Sequence, residues 1–264
     1  MTIATTIVLF AVCSFAGWVW ESIYAVIRTH KWERRGFLYG PVCPIYGVGV
    51  VGILLLVRAM GDVMSAEGVS TYEWWQVFLV AFFGSMILEY VTSWVMEKLF
   101  HAYWWDYTGM PLNINGRTCV PAGLLFGGGG MLAVYVLQPA VTGASASVPE
   151  VAMQVASYLI VAIVCCDLTL TVNSLTEFQK RVADATDFAN ERASEMVTDA
   201  AETAEEAQAR IALERDKLEA ATLGRMADSM TRLRKDALAG VRGFRGGDMP
   251  ERMSRALATI RRRR

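Results

Sequence analysis

The chain of 264 residues is 54% hydrophobic and only 19% charged, with a mean hydropathy of +0.33. Soluble domains average about 25% charged residues, so this composition excludes an ordinary soluble protein and indicates a lipid environment. The formal net charge of −1 conceals two different regions, because residues 1–173 hold 7 basic and 10 acidic side chains and residues 174–264 hold 18 and 16.

Five apolar segments have the composition of membrane-spanning helices. A spanning helix needs roughly 20 mainly apolar residues, because each residue rises about 1.5 Å through a hydrocarbon core about 30 Å thick. The second segment is shorter than the others and rich in glycine. We therefore predict an all-α, polytopic transmembrane bundle of about five spans with a long helical tail, the spans covering residues 3–27, 44–57, 74–96, 120–137 and 151–172.

Basic residues in the connecting loops indicate the orientation of the spans, because basic loops stay in the cytoplasm. With five spans, the basic loops after the first and third spans fall on the same side as the basic tail. The first segment has no basic residues before it and is too long for the apolar part of a signal peptide, so we expect it to be retained. The sequence predicts an N-terminus outside and a cytoplasmic C-terminus.

Ionisable side chains within the spans are the first candidates for function. Such a group costs about 2.5 to 3.5 kcal/mol at a span centre and usually faces a polar interior. The helical rise places Glu21, Glu89 and Asp167 at similar depths, where they need cations or protons, and Arg35 and Arg117 are the candidate cations. Two interpretations stay open: a substrate or proton site, or ion pairs that only fix the packing of the helices.

The two cytoplasmic connections add aromatic and polar side chains. Residues 34–47 mix glycine, proline and aromatic residues, which indicates either a re-entrant turn facing a polar pocket or a plain structural turn. Residues 97–117 contain an interfacial aromatic belt, together with an acidic group and an Asn-Gly-Arg turn that a belt does not explain. The candidate residues for binding a polar, cationic or ring-containing ligand are Glu21, Tyr24, Arg35, Glu89, Glu97, Trp104, Trp105, Asp106, Tyr107, Asn115 and Arg117.

Several other functions find no support in the sequence. The five cysteines form no CxxC pair, so we expect buried free thiols and no metal site, disulfide framework or cofactor. We assign no catalytic residue. No GxxxxGK[ST] motif occurs, so an ATP-driven function would need a separate ATPase chain. Gly123 and Gly127 form a GxxxG pair, which favours close helix packing over ligand binding.

Five motifs occur in order along the first half of the chain: RGFLYGP at residues 35–41, CPIYG at 43–47, EYVTS at 89–93, WWDY at 104–107 and NGR at 115–117. With Gly17-Trp18 and Glu21 before them, they resemble a bacterial family labelled putative ABC-transporter type IV, or putative ABC transporter permease. The resemblance covers roughly residues 3–137. It implies a multi-pass protein of the bacterial cell (cytoplasmic) membrane that is commonly described as a permease.

The tail lies outside this resemblance, which suggests a lineage-specific partner. Residues 174–240 predict a charged, alanine-rich cytoplasmic helix, whose mostly alanine stripe makes a strong coiled coil doubtful. Residues 241–264 predict a basic, flexible C-terminus that binds anionic lipid, at about 1 kcal/mol per charge. Nucleic acid is a weaker candidate because no base-stacking aromatics accompany the arginines. The acidic part of the tail is a further candidate partner for the basic end.

These observations favour a permease-like transport component whose transmembrane domain, residues 1–173, holds a cytoplasm-facing polar pocket. Coupling to protons and coupling to a separate ATPase subunit both stay open. A body of five spans is small for a solitary transporter, so we expect a homo-oligomer or another partner. Two other classes compete: an intramembrane enzyme that uses Glu21 or Glu89 as acid or base on a lipid-linked substrate, and a membrane scaffold that recruits partners through its tail.

Overall fold

The computed structural model describes residues 1–30, 35–66, 73–198, 204–230, 238, 240–244 and 250–262. Five helices in this part of the chain are long and apolar enough to cross a membrane, and the strands are two residues long, which confirms the predicted all-α bundle. In chain order the spans are α1 (Ile3–Thr29), α2 (Pro44–Ala66), α3 (Trp74–Phe100), the unit α4 (Val120–Leu132) with α5 (Gln138–Ala146), and α6 (Glu150–Thr198).

The fourth span is longer than predicted because its helix continues past Leu137. A π-helical turn, Ala133–Leu137, joins α4 to α5 so that the helix continues without interruption. Pro139 has no N–H and its ring crowds the carbonyl four residues earlier, and a wider turn accommodates both effects. The second span also exceeds its predicted end, because the helix continues past the exposed Arg58, whose stem can extend toward the interface.

Glycines set how closely the spans approach. A Cβ on Gly47 of α2 would lie 2.3 Å from the Oγ of Ser14 on α1. Between α3 and α4, a Cβ on Gly130 would lie 2.4 Å from the Cβ of Ala81, and Gly127 packs against the ring of Phe78. The glycines at these positions therefore allow the spans to pack closely, as the GxxxG pair on α4 predicts.

The two connections and the tail meet at one end of the bundle. The ring of Phe37, after α1, lies 5.3 Å from Trp104 and 5.8 Å from Phe100, at the end of α3. In the tail, Gln179 of α6 donates a hydrogen bond to the carbonyl of Phe100. Both connections thus share a side with the tail, as five spans require, and this is the side that the basic residues predict to be cytoplasmic.

The tail folds back on itself and on this end of the bundle. Helix α6 runs from the fifth span into the tail without interruption, and α7 (Ala204–Ser229) packs along it. Strand β4 (Gly243–Phe244) pairs antiparallel with β1 (Ala102–Tyr103), which follows α3. The buried core of this region combines the connection with four parts of the tail: Phe100, Ala102, Leu175, Phe178, Val182, Leu223, Met226, Leu238, Val241, Phe244, Leu257 and Ile260.

The end of the chain differs from the flexible segment that the sequence predicts. Its described part contains α8 (Pro250–Arg262), an amphipathic helix packed on α6, α7 and β4. Met253, Ala256, Leu257 and Ile260 share one buried face. A count of charges does not reveal this helical spacing, because arginines lie between the apolar residues. The proposed division of the chain at residue 173 stays a prediction, since α6 passes through it.

Candidate functional site

Glu89 is a buried carboxylate held by two hydroxyl groups. It lies in the middle of α3 and is 6% exposed. The hydroxyl of Tyr107 donates to its Oε1 at 2.9 Å, and that of Thr118 donates to its Oε2 at 2.8 Å. Both donors come from the segment between α3 and α4, where Thr118 belongs to the short hairpin of β2 (Asn113–Ile114) and β3 (Thr118–Cys119). This connection therefore folds inward to solvate the carboxylate.

Glu21 on α1 is held in a similar way by Tyr46 of α2. The Tyr46 hydroxyl donates to Glu21 Oε1 at 2.7 Å. Gly17 lies one turn before Glu21, and a Cβ there would lie 2.3 Å from the Cγ of the Tyr46 ring. The spacing Gly-x-x-x-Glu thus makes room for the ring and presents the carboxylate to its hydroxyl.

The charges of Glu21 and Glu89 raise the pKa values of neighbouring groups. Burial raises the pKa of Tyr107 well above its usual range, and the charges of Glu89 and, more weakly, Glu21 raise it further. Burial followed by the charge of Glu21 raises the pKa of the Cys43 thiol, in the first connection, to about 12. We call Glu21, Tyr46, Glu89, Tyr107 and Thr118 the carboxylate cluster.

Arg117 pairs with Glu97 and not with the deeper carboxylates. Its Nη2 lies 2.8 Å from Glu97 Oε2, and its guanidinium carbon lies 5.4 Å from the centre of the Tyr90 ring. The indole of Trp105 donates to the Arg117 carbonyl at 2.8 Å, and the exposed Asn115 amide donates to the Tyr90 hydroxyl at 3.1 Å. In the structure, Arg117 is thus the partner of Glu97, while the hydroxyl groups of Tyr46, Tyr107 and Thr118 donate to the deeper carboxylates without neutralising them.

Asp167 on α6 holds the first connection in place. Its two carboxylate oxygens accept hydrogen bonds from the backbone N–H groups of Tyr39 and Gly40, at 2.8 and 2.7 Å, and the Thr171 hydroxyl lies 3.3 Å from one of them. A carboxylate satisfied by backbone donors needs no cation. Arg35 lies half-buried at the start of the same connection.

The remaining sequence candidates lie outside the cluster. Tyr24 is 47% exposed on α1, where its hydroxyl accepts from Arg28 at 3.3 Å. Trp104 packs against aromatic rings where the tail docks. The exposed Asp106 accepts from the backbone N–H of Thr108 at 3.0 Å and shapes a turn.

Two cluster members are absent from the residues that the sequence suggests. Tyr46 and Thr118 carry no charge, so neither stands out at membrane depth as a carboxylate does. Their signal is a hydroxyl within one turn of the start of a span, and many structural residues share it. Among the described residues, no group of three or more His, Cys, Asp or Glu side chains could hold a metal ion.

Comparison with known proteins identifies a family that the chain matches. A family model described as Putative ABC-transporter type IV matches residues 8–172, which is more than half of the chain and includes all five spans up to the first part of α6. This extends the resemblance, drawn over residues 3–137, through the fifth span. Neither the curated proteins nor the solved structures give a match.

Proposed function

The chain belongs to the putative ABC-transporter type IV family, and from that premise we propose that it is a permease-like component of the bacterial cytoplasmic membrane that works with a separate ATPase subunit. The family and the five apolar helices make it a membrane protein related to ABC-type transport. We propose further that the N-terminus lies outside and the tail in the cytoplasm. The carboxylate cluster is then the working site, and it opens toward the cytoplasm.

The cluster carries this proposal because it combines two carboxylates with neutral donors inside an apolar body. The hydrogen bonds to Glu21 and Glu89 come from tyrosine and threonine hydroxyls. Hydroxyls solvate a carboxylate without cancelling its charge, so the site attracts a proton or a cation more strongly than an ion pair would. A pair of groups kept only for helix packing would be served better by apolar side chains.

The position of the cluster also supports a role in movement across the bilayer. Its members come from α1, α2, α3 and the connection before α4. A change in the charge of the cluster therefore changes the contacts between these spans. The ion pair of Glu97 and Arg117 lies two turns further along α3, between the cluster and the predicted cytoplasmic end. The proposed path to the cytoplasm passes this pair.

Purification from detergent-solubilised membranes tests the proposal. We expect an ATPase subunit to co-purify with the full chain at a fixed ratio, and the complex to hydrolyse ATP in sealed vesicles. A chain that purifies without any ATPase contradicts the proposal. If the chain alone converts a lipid-linked compound in detergent, where no gradient exists, the intramembrane enzyme replaces the transporter.

The proposed orientation has a separate test. A reporter fused after Val172 or at the C-terminus should give a cytoplasmic signal, because the basic connections and the tail share one end of the bundle. A signal from the outside would contradict the orientation. Self-association and binding of the basic end to anionic lipid are further proposals, measured by mass in detergent and by flotation with vesicles.

A further inference from the structure

A short segment of the tail, residues 240–244, crosses both connections at the predicted cytoplasmic end of the bundle. It lies against the first connection, because a Cβ on Gly240 would lie 2.5 Å from the carbonyl oxygen of Gly36. It also lies against the second connection, because the same Cβ would lie 3.2 Å from the ring of Trp104 and because β4, within the segment, pairs with β1. We call residues 240–244 the clasp.

Beneath the clasp, the first connection leads to Glu21. A Cβ on Gly36 would lie 3.1 Å from the sulfur of Cys43. Burial and then the charge of Glu21 raise the pKa of the Cys43 thiol, so this thiol lies close to the carboxylate. The contacts thus run in one series from the clasp through Gly36 and Cys43 to Glu21.

Beneath the other side of the clasp, the second connection leads to Glu89. Trp104 lies against the clasp, and three residues later Tyr107 donates to Glu89 at 2.9 Å. The ring of Phe37, from the first connection, lies 5.3 Å from the ring of Trp104. The two connections therefore meet beside the clasp, and lifting the clasp uncovers the place where they meet.

The attachment of the clasp to the second connection is short. Strands β1 and β4 have two residues each, and so short a pair is marginally stable by itself. The indole nitrogen of Trp104 would lie 3.3 Å from a Cβ on Gly240, and its N–H is buried without an acceptor among the described residues. Such a donor destabilises the closed arrangement, and water supplies the acceptor once the clasp lifts. These features favour a clasp that opens while the spans stay folded.

The clasp is also tied to the last helix of the tail. Arg261 of α8 donates a hydrogen bond to the carbonyl of Val241 in the clasp. Helix α8 itself packs on α6, α7 and β4. A displacement of α8 therefore moves the clasp with it.

We propose that the clasp is a gate on the carboxylate cluster, closed in this structure and opened when the end of the tail lifts from the two connections. The proposal rests on the proposed function for the identity of the working site, and it adds how access to that site is controlled. A proton or cation reaches a buried carboxylate only along a polar or hydrated path, because an apolar layer is costly for any ion. The closed clasp blocks that path, and the open clasp lets water in.

Two native cysteines report on the gate in the full chain alone, so the outcome does not depend on any ATPase. Cys43, next to Glu21, and Cys13, near the middle of the first span, are only 5% and 3% exposed. The detergent-purified chain is treated with a hydrophilic maleimide, and peptide mass mapping gives the labelling rate at each thiol. An open gate exposes Cys43 and leaves Cys13 buried, whereas unfolding exposes both.

Gly240→Val forces the clasp off the Gly36 carbonyl, and we expect it to raise the labelling rate of Cys43 about tenfold while Cys13 stays unchanged. The matched control is Gly143→Val, which has open space around it and should label as the unmodified chain does.

A disulfide tests the gate in the opposite direction. Tyr103 and Gly243 are direct partners in the pair of β1 and β4, where Cα atoms lie about 4.5 to 5.5 Å apart, a separation that a disulfide spans. Tyr103→Cys combined with Gly243→Cys also removes the ring that a side chain on Gly243 would meet. We expect labelling of Cys43 to be about tenfold slower in the oxidised form of this variant than in its reduced form.

Unchanged labelling of Cys43 in a folded Gly240→Val chain would overturn the proposal, and so would equal labelling in the oxidised and reduced forms of the cysteine pair. If Gly240→Val exposes Cys13 as well, the bundle has unfolded and the cysteine pair alone decides. A failed gate leaves the transport proposal standing, and a chain that purifies without an ATPase leaves this test unaffected.

Discussion

Removing the hydroxyl of Tyr107 should destabilise the protein through Glu89. In Tyr107→Phe the ring stays, but Oε1 of a carboxylate that is only 6% exposed loses its 2.9 Å donor. A hydrogen bond to a charged group contributes about 1.5 to 3 kcal/mol, and the Thr118 hydroxyl still serves the other oxygen. We therefore expect the free energy of unfolding to fall by about 2 kcal/mol.

Equilibrium unfolding by SDS in mixed micelles, followed by far-UV circular dichroism, measures this loss. The matched control is Tyr90→Phe, which also removes a tyrosine hydroxyl on the same side of the bundle, but one that, among the described residues, accepts only from the exposed Asn115 amide. We expect that variant to lose about 0.5 kcal/mol or less. Equal losses in the two variants would refute the assignment of Tyr107 to Glu89.

A double-mutant cycle isolates the part that depends on charge. In a Glu89→Gln background, Tyr107→Phe removes a bond between neutral groups, which contributes only about 0.5 to 1.5 kcal/mol. The cost of Tyr107→Phe should therefore be about 1 kcal/mol smaller in this background. An unchanged cost would mean that the carboxylate charge plays no part.

Three further predictions concern the connections and the tail. Gly240→Val puts a side chain 2.5 Å from the Gly36 carbonyl and should loosen the tail by about 1 to 3 kcal/mol, seen as faster proteolytic release, whereas Gly143→Val, with open space around it, should not. Cys43 should resist alkylation at pH 8 until the chain unfolds. Because burial raises its folded pKa to about 12 from the usual 9.0, the stability from the neutral thiol is complete below pH 9 and is lost as pH rises toward 12. Asp167→Ala should expose the first connection to proteases, because the backbone donors of two residues lose their acceptor.

The spans and the deep carboxylates could be predicted from the sequence because both depend on local properties. Span positions follow from apolar length, and the depths of Glu21 and Glu89 follow from the helical rise. Even here the ends differ: a π-helical turn carries the fourth span past Leu137, and no hydropathy pattern signals it. A count of charges singled out Glu21 and Glu89, but it did not identify the hydroxyl groups that bind them or the pairing of Arg117 with Glu97, because neutral hydroxyls do not appear in such a count.

The docking of the tail could not be predicted because it joins distant segments. Strand β1 at Ala102–Tyr103 pairs with β4 at Gly243–Phe244, about 140 residues later, and each strand has only two residues. The terminal helix buries Leu257 and Ile260 while its many arginines give it the composition of a solvated end. Such contacts depend on tertiary packing that composition and periodicity do not encode.

The claim that the carboxylate cluster is a working site is tested most directly by ATP turnover of the reconstituted complex with Glu89→Gln, at equal membrane abundance and equal ATPase content. The matched control is Glu150→Gln at the exposed start of α6, which changes the same charge outside the cluster. If the cluster couples substrate or protons to transport, Glu89→Gln should lower turnover about tenfold or more while Glu150→Gln leaves it unchanged. Unchanged turnover in a folded Glu89→Gln complex would contradict the claim and leave the cluster with a packing role alone.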